Sequence, residues 1–426
     1  MAQVFQDAAC TRCGCVCDDL ALHVESGRIV AAERACALGE PWLLGQTAEH
    51  ESPVKVNGAP ASFDEAVGRA AEILSLSRAP LIYGLSTSST SGQRAAVELA
   101  ETLGATIEPA VSTLEAATIL ALQSVGASTA TLGEVRNRAD LVIYWGSNPQ
   151  VSHPRHFERC VEAEGLFVPG GRRGRHVIVV DVERTATAEL ADRFVQVEPG
   201  GDSHLITALR AVLKGEDSPA APIGGVAWEE ILTLAEQLKS CGYGAVFFGS
   251  GLARHTAPQA AVAALFELVT ELNSHTRFVA QPMHSCGATN VLTWLTGFPM
   301  SVNFALGYPR YNPAEYSAEV LLERGAVDAV VLVGTEGVAR LSPATRQTLA
   351  RLPVISLESP TESCPIPAAV SFTTAVYGVH RRGTAYRMDG VPIPLRAVLD
   401  SSLPSDAEVL MAINEVCADE TSRLAI

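Results

Sequence analysis

Short apolar strands that end in glycine recur along this chain, each separated from the next by a helical segment. Residues 63–78, FDEAVGRAAEILSLSR, repeat apolar positions at helical spacing behind Ser62, a residue suited to cap a helix N-terminus, and APLIYGL (79–85) follows as a strand. The rhythm returns as SGQRAAVELAETLG before ATIEPAV, GEVRNRA before DLVIYWGSNP, and FERCVEAEGLFV before HVIVVDV (176–182). Parallel strands need a crossover, and an intervening helix supplies it, so this alternation predicts βαβ units around parallel sheets. SPAAPIGGVA (218–227), rich in Pro, Gly and Ala, breaks the rhythm as a linker would. A second series follows it: YGAVFFGSGLA (243–253), TRFVAQP (276–282), VDAVVLVGTEG (327–337) and LPVISLES (352–359). The expected fold is α/β with two doubly wound, Rossmann-like lobes, residues 51–217 and 218–366. A small Cys-rich hairpin domain (1–50) precedes them, and a strand-and-turn segment ending in a short helix (367–426) follows.

The chain has 426 residues, more than the roughly 250–300 at which single cores stop growing, so two or more packed lobes are expected. A net charge of −16 argues against a nucleic-acid partner, which would need a basic face. No uncharged apolar run approaches the roughly 18 residues of a membrane span, and nothing ahead of Cys10 reads as a secretory leader. The expectation is a cytoplasmic protein without membrane contact.

The N-terminal stretch CTRCGCVCDDL (10–20) places Cys10, Cys13 and Cys17, with Cys36 beyond, at the spacing C-x2-C-x3-C-x18-C, while Cys15 falls off that register. Between Cys17 and Cys36, DDLALHVESGRIVAAERA alternates apolar and polar residues around Ser26-Gly27, a hairpin pattern that returns Cys36 toward the first three cysteines. In a reducing compartment such a set points to metal or redox chemistry rather than to disulfides. Four thiolates match a [4Fe–4S] cluster; a structural zinc ion and a metal-free reduced set stand as alternatives. Asp18 and Asp19 read as hairpin turn and cap, and Cys160, Cys241, Cys286, Cys364 and Cys417 as small buried hydrophobes.

The cysteine spacing, together with VPG at 168–170 and HVIVVDVERTATAELADRFVQVEPGGDSHLITALRAVLKG from residue 176, resembles the molybdopterin oxidoreductases. The strings TLGEVRNRADLVIYWGSNPQVSHPRH (131–156), LTWLTGFPMSVNFALGYPRYNP (292–313), RGAVDAVVLVGTE (324–336) and GTAYRMDGVPIP (383–394) resemble, more specifically, the B subunit of formylmethanofuran dehydrogenase. The resemblance covers nearly the whole chain. It implies the molybdopterin-oxidoreductase architecture without its C-terminal β-barrel domain, and it exposes one departure. In the dehydrogenase a cysteine or selenocysteine of a C-H-G-P-type segment ligates molybdenum or tungsten; the matching window here, EPAVSTLEAATILALQSVG (108–126), has no cysteine, and Ser112 and Thr113 are not equivalent soft ligands. His153 and His156 are accordingly expected to be structural. No molybdopterin, molybdenum or tungsten is expected.

The departure points to the homologous formyltransferase/hydrolase complex of methylotrophic bacteria. There the resemblance implies a non-catalytic, redox-inactive B subunit partnered by a hydrolase (A), a C subunit and a formyltransferase (D), which together convert formyl-tetrahydromethanopterin to formate through a methanofuran-type carrier. Two rivals stand beside this: a catalytic dehydrogenase component holding tungsto- or molybdopterin through a substitute ligand, and an iron–sulfur electron-transfer module. Further expectations attach to single motifs. Arg172, Arg173 and Arg175 of PGGRRGRH either steer the polyglutamylated carrier or line a solvated loop. GSNP (146–149), GSGLA (249–253) and DVERTATAEL, with Asp181, Arg184, Thr185 and Thr187, mark a retained nucleotide pocket or merely tight turns. GYPRYNP (307–313) is an interface anchor or a buried loop.

Overall fold

The structure, a computed structural model, describes residues 3–48, 53–216, 221–284 and 289–424, with side chains through 419. The linker at 218–227 and Cys286 fall partly or wholly outside these residues.

At the N-terminus the expected hairpin forms, Leu20–Glu25 pairing antiparallel with Arg28–Glu33 around the left-handed Ser26 and Gly27. A third strand that the alternation did not announce, Gln3–Ala8, pairs with Leu20–Glu25 and carries the chain into Cys10.

Five parallel strands form one sheet, in the order Arg193–Gln196, His176–Asp181, Leu141–Trp145, Tyr243–Phe248, Arg277–Pro282. The three central strands are buried on both faces, as continuous Val/Ile/Phe runs require. A second sheet has nine strands. Its parallel centre runs Thr106–Pro109, Pro80–Gly84, Ala329–Val333, Val354–Glu358, Val370–Thr373, and short antiparallel strands flank it on both edges. The helices Phe63–Leu76 and Thr90–Leu103 cover one face together with the C-terminal helix Asp406–Leu424.

Both lobes are doubly wound, but the sheets do not follow the boundaries 51–217 and 218–366. The chain starts the nine-stranded sheet, leaves at Pro109 to build the whole five-stranded sheet between Leu141 and Pro282, and then returns to complete the first. Segment 367–426 is likewise part of the nine-stranded lobe, contributing the strand Val370–Thr373 and a 19-residue helix rather than a short one. Periodicity identifies strands; it carries no information on which sheet each strand joins.

Each sheet reverses its winding once, between Leu141–Trp145 and Tyr243–Phe248 in one and between Pro80–Gly84 and Ala329–Val333 in the other. Crevices at such reversals are where doubly wound folds take ligands. Among the described residues no helix is long and apolar enough to cross a membrane.

Candidate functional site

The cysteine loop is a tight knot. Cys10 N–H donates to the Cys17 carbonyl at 2.8 Å, and Val16 N–H donates to that of Cys13 at 3.2 Å. Val16, β-branched and buried, sits at φ 37°, a left-handed conformation such a residue adopts only when its surroundings impose it. This reversal gives Cys15 a direction different from its neighbours: it lines a cavity together with Cys160.

The structure brings Cys10, Cys13, Cys17 and Cys36 into one neighbourhood. Burial pushes the Cys10 thiol up to about 12 against a backbone hydrogen bond at Arg12, and the sulfurs of Cys13, Cys17 and Cys36 all add to that rise. Burial likewise raises Cys17, opposed by the guanidinium of Arg159. Cys13 is pulled down to about 7, chiefly by the Cys15 thiol that hydrogen-bonds it. Gly39 leaves the space between two of the sulfurs, since a Cβ there would lie 3.1 Å from Cys10 Sγ and 3.7 Å from Cys36 Sγ.

Among the described residues no three His, Cys, Asp or Glu side chains are drawn together as the ligands of a single ion would be. The four ligands of a cubane bind four different irons and stand farther apart. A half-buried set of thiols around a cradle cleared by glycine fits such a group, whose positive irons would keep ionised the sulfurs that burial otherwise protonates.

Asp18 and Asp19 have a role that sequence reading missed. Arg155 clasps Asp19 with Nη1 and Nη2 at 2.7 and 2.8 Å, and Arg159 reaches Asp18 at 2.7 Å. The signal was present as two acidic residues beside the cysteines and two arginines four apart in RHFER, but nothing in the sequence ties one pair to the other.

A second cleft, of about 440 Å³, opens where the departure from the dehydrogenase pattern falls, lined by Ser112, Leu114, His153, Arg254, His284 and Arg340 among others. Ser112 caps the helix Thr113–Val125, its Oγ accepting from Glu115 N–H at 3.2 Å, so this hydroxyl is already engaged. Leu114 and Glu115 are buried. Burial raises the Glu115 carboxyl, opposed by His284, 4.0 Å away, and by Arg340. Leucine, serine and threonine put no thiolate where the dehydrogenase pattern has one, so the soft ligand of that pattern is missing here. His153 Nε2 lies 3.1 Å from the His284 carbonyl, and His156 is buried with Nδ1 3.0 Å from the Tyr144 hydroxyl.

The other singled-out motifs turn inward. Arg175 is buried and donates to the carbonyls of Ala139, Val161 and Ala163, and Arg172 pairs with Asp192 at 2.9 Å. Only Arg173 of the three is exposed, so neither a three-arginine anion clamp nor a fully solvated loop describes this segment. GSNP and GSGLA pack on each other, Gly251 N–H donating to the Gly146 carbonyl at 2.9 Å, with no room for a Cβ at either glycine. Thr187 Oγ1 donates to Asn148 at 2.8 Å, and Asp202 accepts from the Trp145 indole at 2.7 Å. GYPRYNP divides: Tyr311 stacks on Phe298 at 5.2 Å, whereas Tyr308 is 55% exposed.

No protein-family model matches the chain. Over 96% of its length it is 38% identical to the B subunit of the tungsten-containing formylmethanofuran dehydrogenase 2 of Methanocaldococcus jannaschii, covering 98% of that protein. Among solved structures, a chain of the formyltransferase/hydrolase complex FhcABCD from Methylorubrum extorquens, in complex with methylofuran, matches with a TM-score of 0.72 at 25% identity. That match spans 87% of this chain and 99% of the other. Acetylene hydratase from Pelobacter acetylenicus shares the fold, with a TM-score of 0.72 at 14% identity over 98% of this chain and 70% of its own.

Proposed function

The chain belongs to the family of formylmethanofuran dehydrogenase B subunits, and we propose that it is a redox-inactive, structural member of a formyltransferase/hydrolase assembly. In that reading a hydrolase (A), a C subunit and a formyltransferase (D) carry formyl transfer and release of formate, and this chain scaffolds them in one-carbon metabolism. One observation carries the proposal. The helix start that corresponds to the dehydrogenase's metal-ligating segment presents buried Leu114 and Glu115 behind a capping Ser112, with no thiol in the window 108–126. A pterin-held metal without its protein ligand is a poor basis for reversible formate chemistry.

Cys10, Cys13, Cys17 and Cys36 would hold a [4Fe–4S] cluster. Such a group, when bound, would cross-link the loop in a structural role. The residues' own part is positional: Gly39 clears the space, and the Arg155–Asp19 and Arg159–Asp18 pairs fix the loop against the five-stranded lobe.

A second reading, a catalytic tungsten or molybdenum enzyme component, is favoured by the 38% identity over 96% of the chain to the tungsten-containing relative, against 28% over 65% of it to the Fhc B subunit of Methylorubrum extorquens. Co-expression with the partner subunits, purification without air and assay of viologen-linked formate oxidation separate the two. The proposal expects no turnover, and dye reduction by formate would establish the second reading in its place.

A further inference from the structure

Behind the cysteine loop, Cys15, Arg136, His156, Arg159, Cys160 and Arg387 line a cavity of about 140 Å³. No carboxylate lines it, which leaves a hard cation without a ligand there. His156 is 1% exposed, its Nδ1 faces the fully buried Tyr144 hydroxyl at 3.0 Å, and its Nε2 has no partner. Burial holds this imidazole neutral, pulling it down to about 3, so one ring nitrogen carries the single proton. In the tautomer in which the Tyr144 phenol donates to Nδ1, that proton sits on Nε2, the unpartnered atom, where a buried donor calls for an acceptor.

The arginines supply charge of the matching sign. Arg159 spends both Nη atoms on Asp18 and Asp19, and Arg387 spends Nε and Nη2 on Asp389, leaving Nη1. Arg136 gives Nε to the Glu164 carbonyl and forms no ion pair with a carboxylate among the described residues. Three guanidinium groups and the His156 ring therefore surround a space of about 140 Å³, on the scale of a small ion.

We propose that this cavity binds one small oxyanion, held by His156 Nε2, Arg387 and Arg136. Formate and inorganic phosphate present the same acceptor chemistry, and the test separates them. The inference does not depend on whether the cysteine site holds metal.

The chain, assembled with its partner subunits, is titrated at constant ionic strength with sodium formate and, separately, with sodium phosphate, heats being read calorimetrically with sodium chloride as control. Arg136→Gln is the informative variant, because this exposed side chain can change without cutting into a core. The expected result is a saturable site in the millimolar range that Arg136→Gln weakens by about tenfold, the worth of one charge-assisted bond, while Arg173→Gln, away from the cavity, leaves it unchanged. Saturation by formate alone assigns a carboxylate; saturation by phosphate, or by both ions, assigns an inorganic or general oxyanion. No saturation below about 50 mM, or saturation indifferent to Arg136→Gln, overturns the proposal.

Discussion

Arg155 holds Asp19 through two parallel bonds of 2.7 and 2.8 Å while the same guanidinium reaches Glu158 at 2.8 Å. The arginine side chain is 8% exposed and the aspartate 37%. This pair joins the start of the cysteine hairpin to a helical segment of the five-stranded lobe. Arg155→Ala is expected to cost about 2–3 kcal/mol, less than a fully buried pair because water reaches Asp19. Arg155→Lys is expected to recover only part of that, since an ammonium lacks the planar fork that makes two parallel bonds to a carboxylate. Urea midpoints of the assembled protein check this, and an Arg155→Ala protein within about 0.5 kcal/mol of wild type would show the pair to be incidental.

Gly39 tests the cradle. A Cβ there would meet Cys10 Sγ at 3.1 Å and Cys36 Sγ at 3.7 Å, so Gly39→Ala crowds two proposed ligands while suiting the helix Gly39–Leu44 by propensity. The expected outcome is a folded chain with less than half the wild-type iron and reduced visible absorbance. Unchanged iron content would place the metal elsewhere.

Glu108 gives a pH dependence whose sign follows from its burial. Removal from water raises its carboxyl from 4.5 to about 8, against the opposing pull of Ser301, whose backbone N–H donates to it. The unfolded chain ionises first, so the stability is fully present below pH 4.5 and is lost as pH rises toward 8. At about 1.4 kcal/mol per unit the loss is on the order of several kcal/mol. Glu108→Gln keeps an acceptor for Ser301 and should flatten the profile between roughly pH 5 and 8.5. Parallel pH profiles for variant and wild type would remove Glu108 from the account.

Tyr308 and Leu306 are 55% and 59% exposed on the loop whose Tyr311 is stacked inward, a split that suits an interface resting on a fixed base. Tyr308→Glu is expected to leave the chain folded and to lower recovery of the co-expressed subunits at least about tenfold, as a desolvated charge at a contact would. Full recovery would take this loop out of the interface.

How far the sequence discloses this molecule depends on the range of the interaction concerned. Ser62 capping Phe63–Leu76, the Ser26-Gly27 reversal and every central strand rest on neighbours within a few residues, and composition and period reveal them. The nesting of one sheet inside the other depends on strands about two hundred and fifty residues apart, such as Pro80–Gly84 beside Ala329–Val333, and no local pattern encodes that choice. The same limit applies at the site. Cysteine spacing and the hairpin foretold a shared neighbourhood, but the Asp19–Arg155 clasp spans 136 positions, and the inward turn of Arg175 depends on carbonyls supplied by other elements. The absence of a thiol at 108–126 is plain in the sequence and takes its meaning from the resemblance, and Ser112 three residues before Glu115 repeats the local capping pattern of Ser62 before Glu65.

Elemental analysis of the co-expressed assembly purified without air decides whether the chain is a scaffold without a metal–pterin centre. About four iron atoms per chain are expected, with molybdenum and tungsten far below one. One molybdenum or tungsten atom per chain would contradict the scaffold reading.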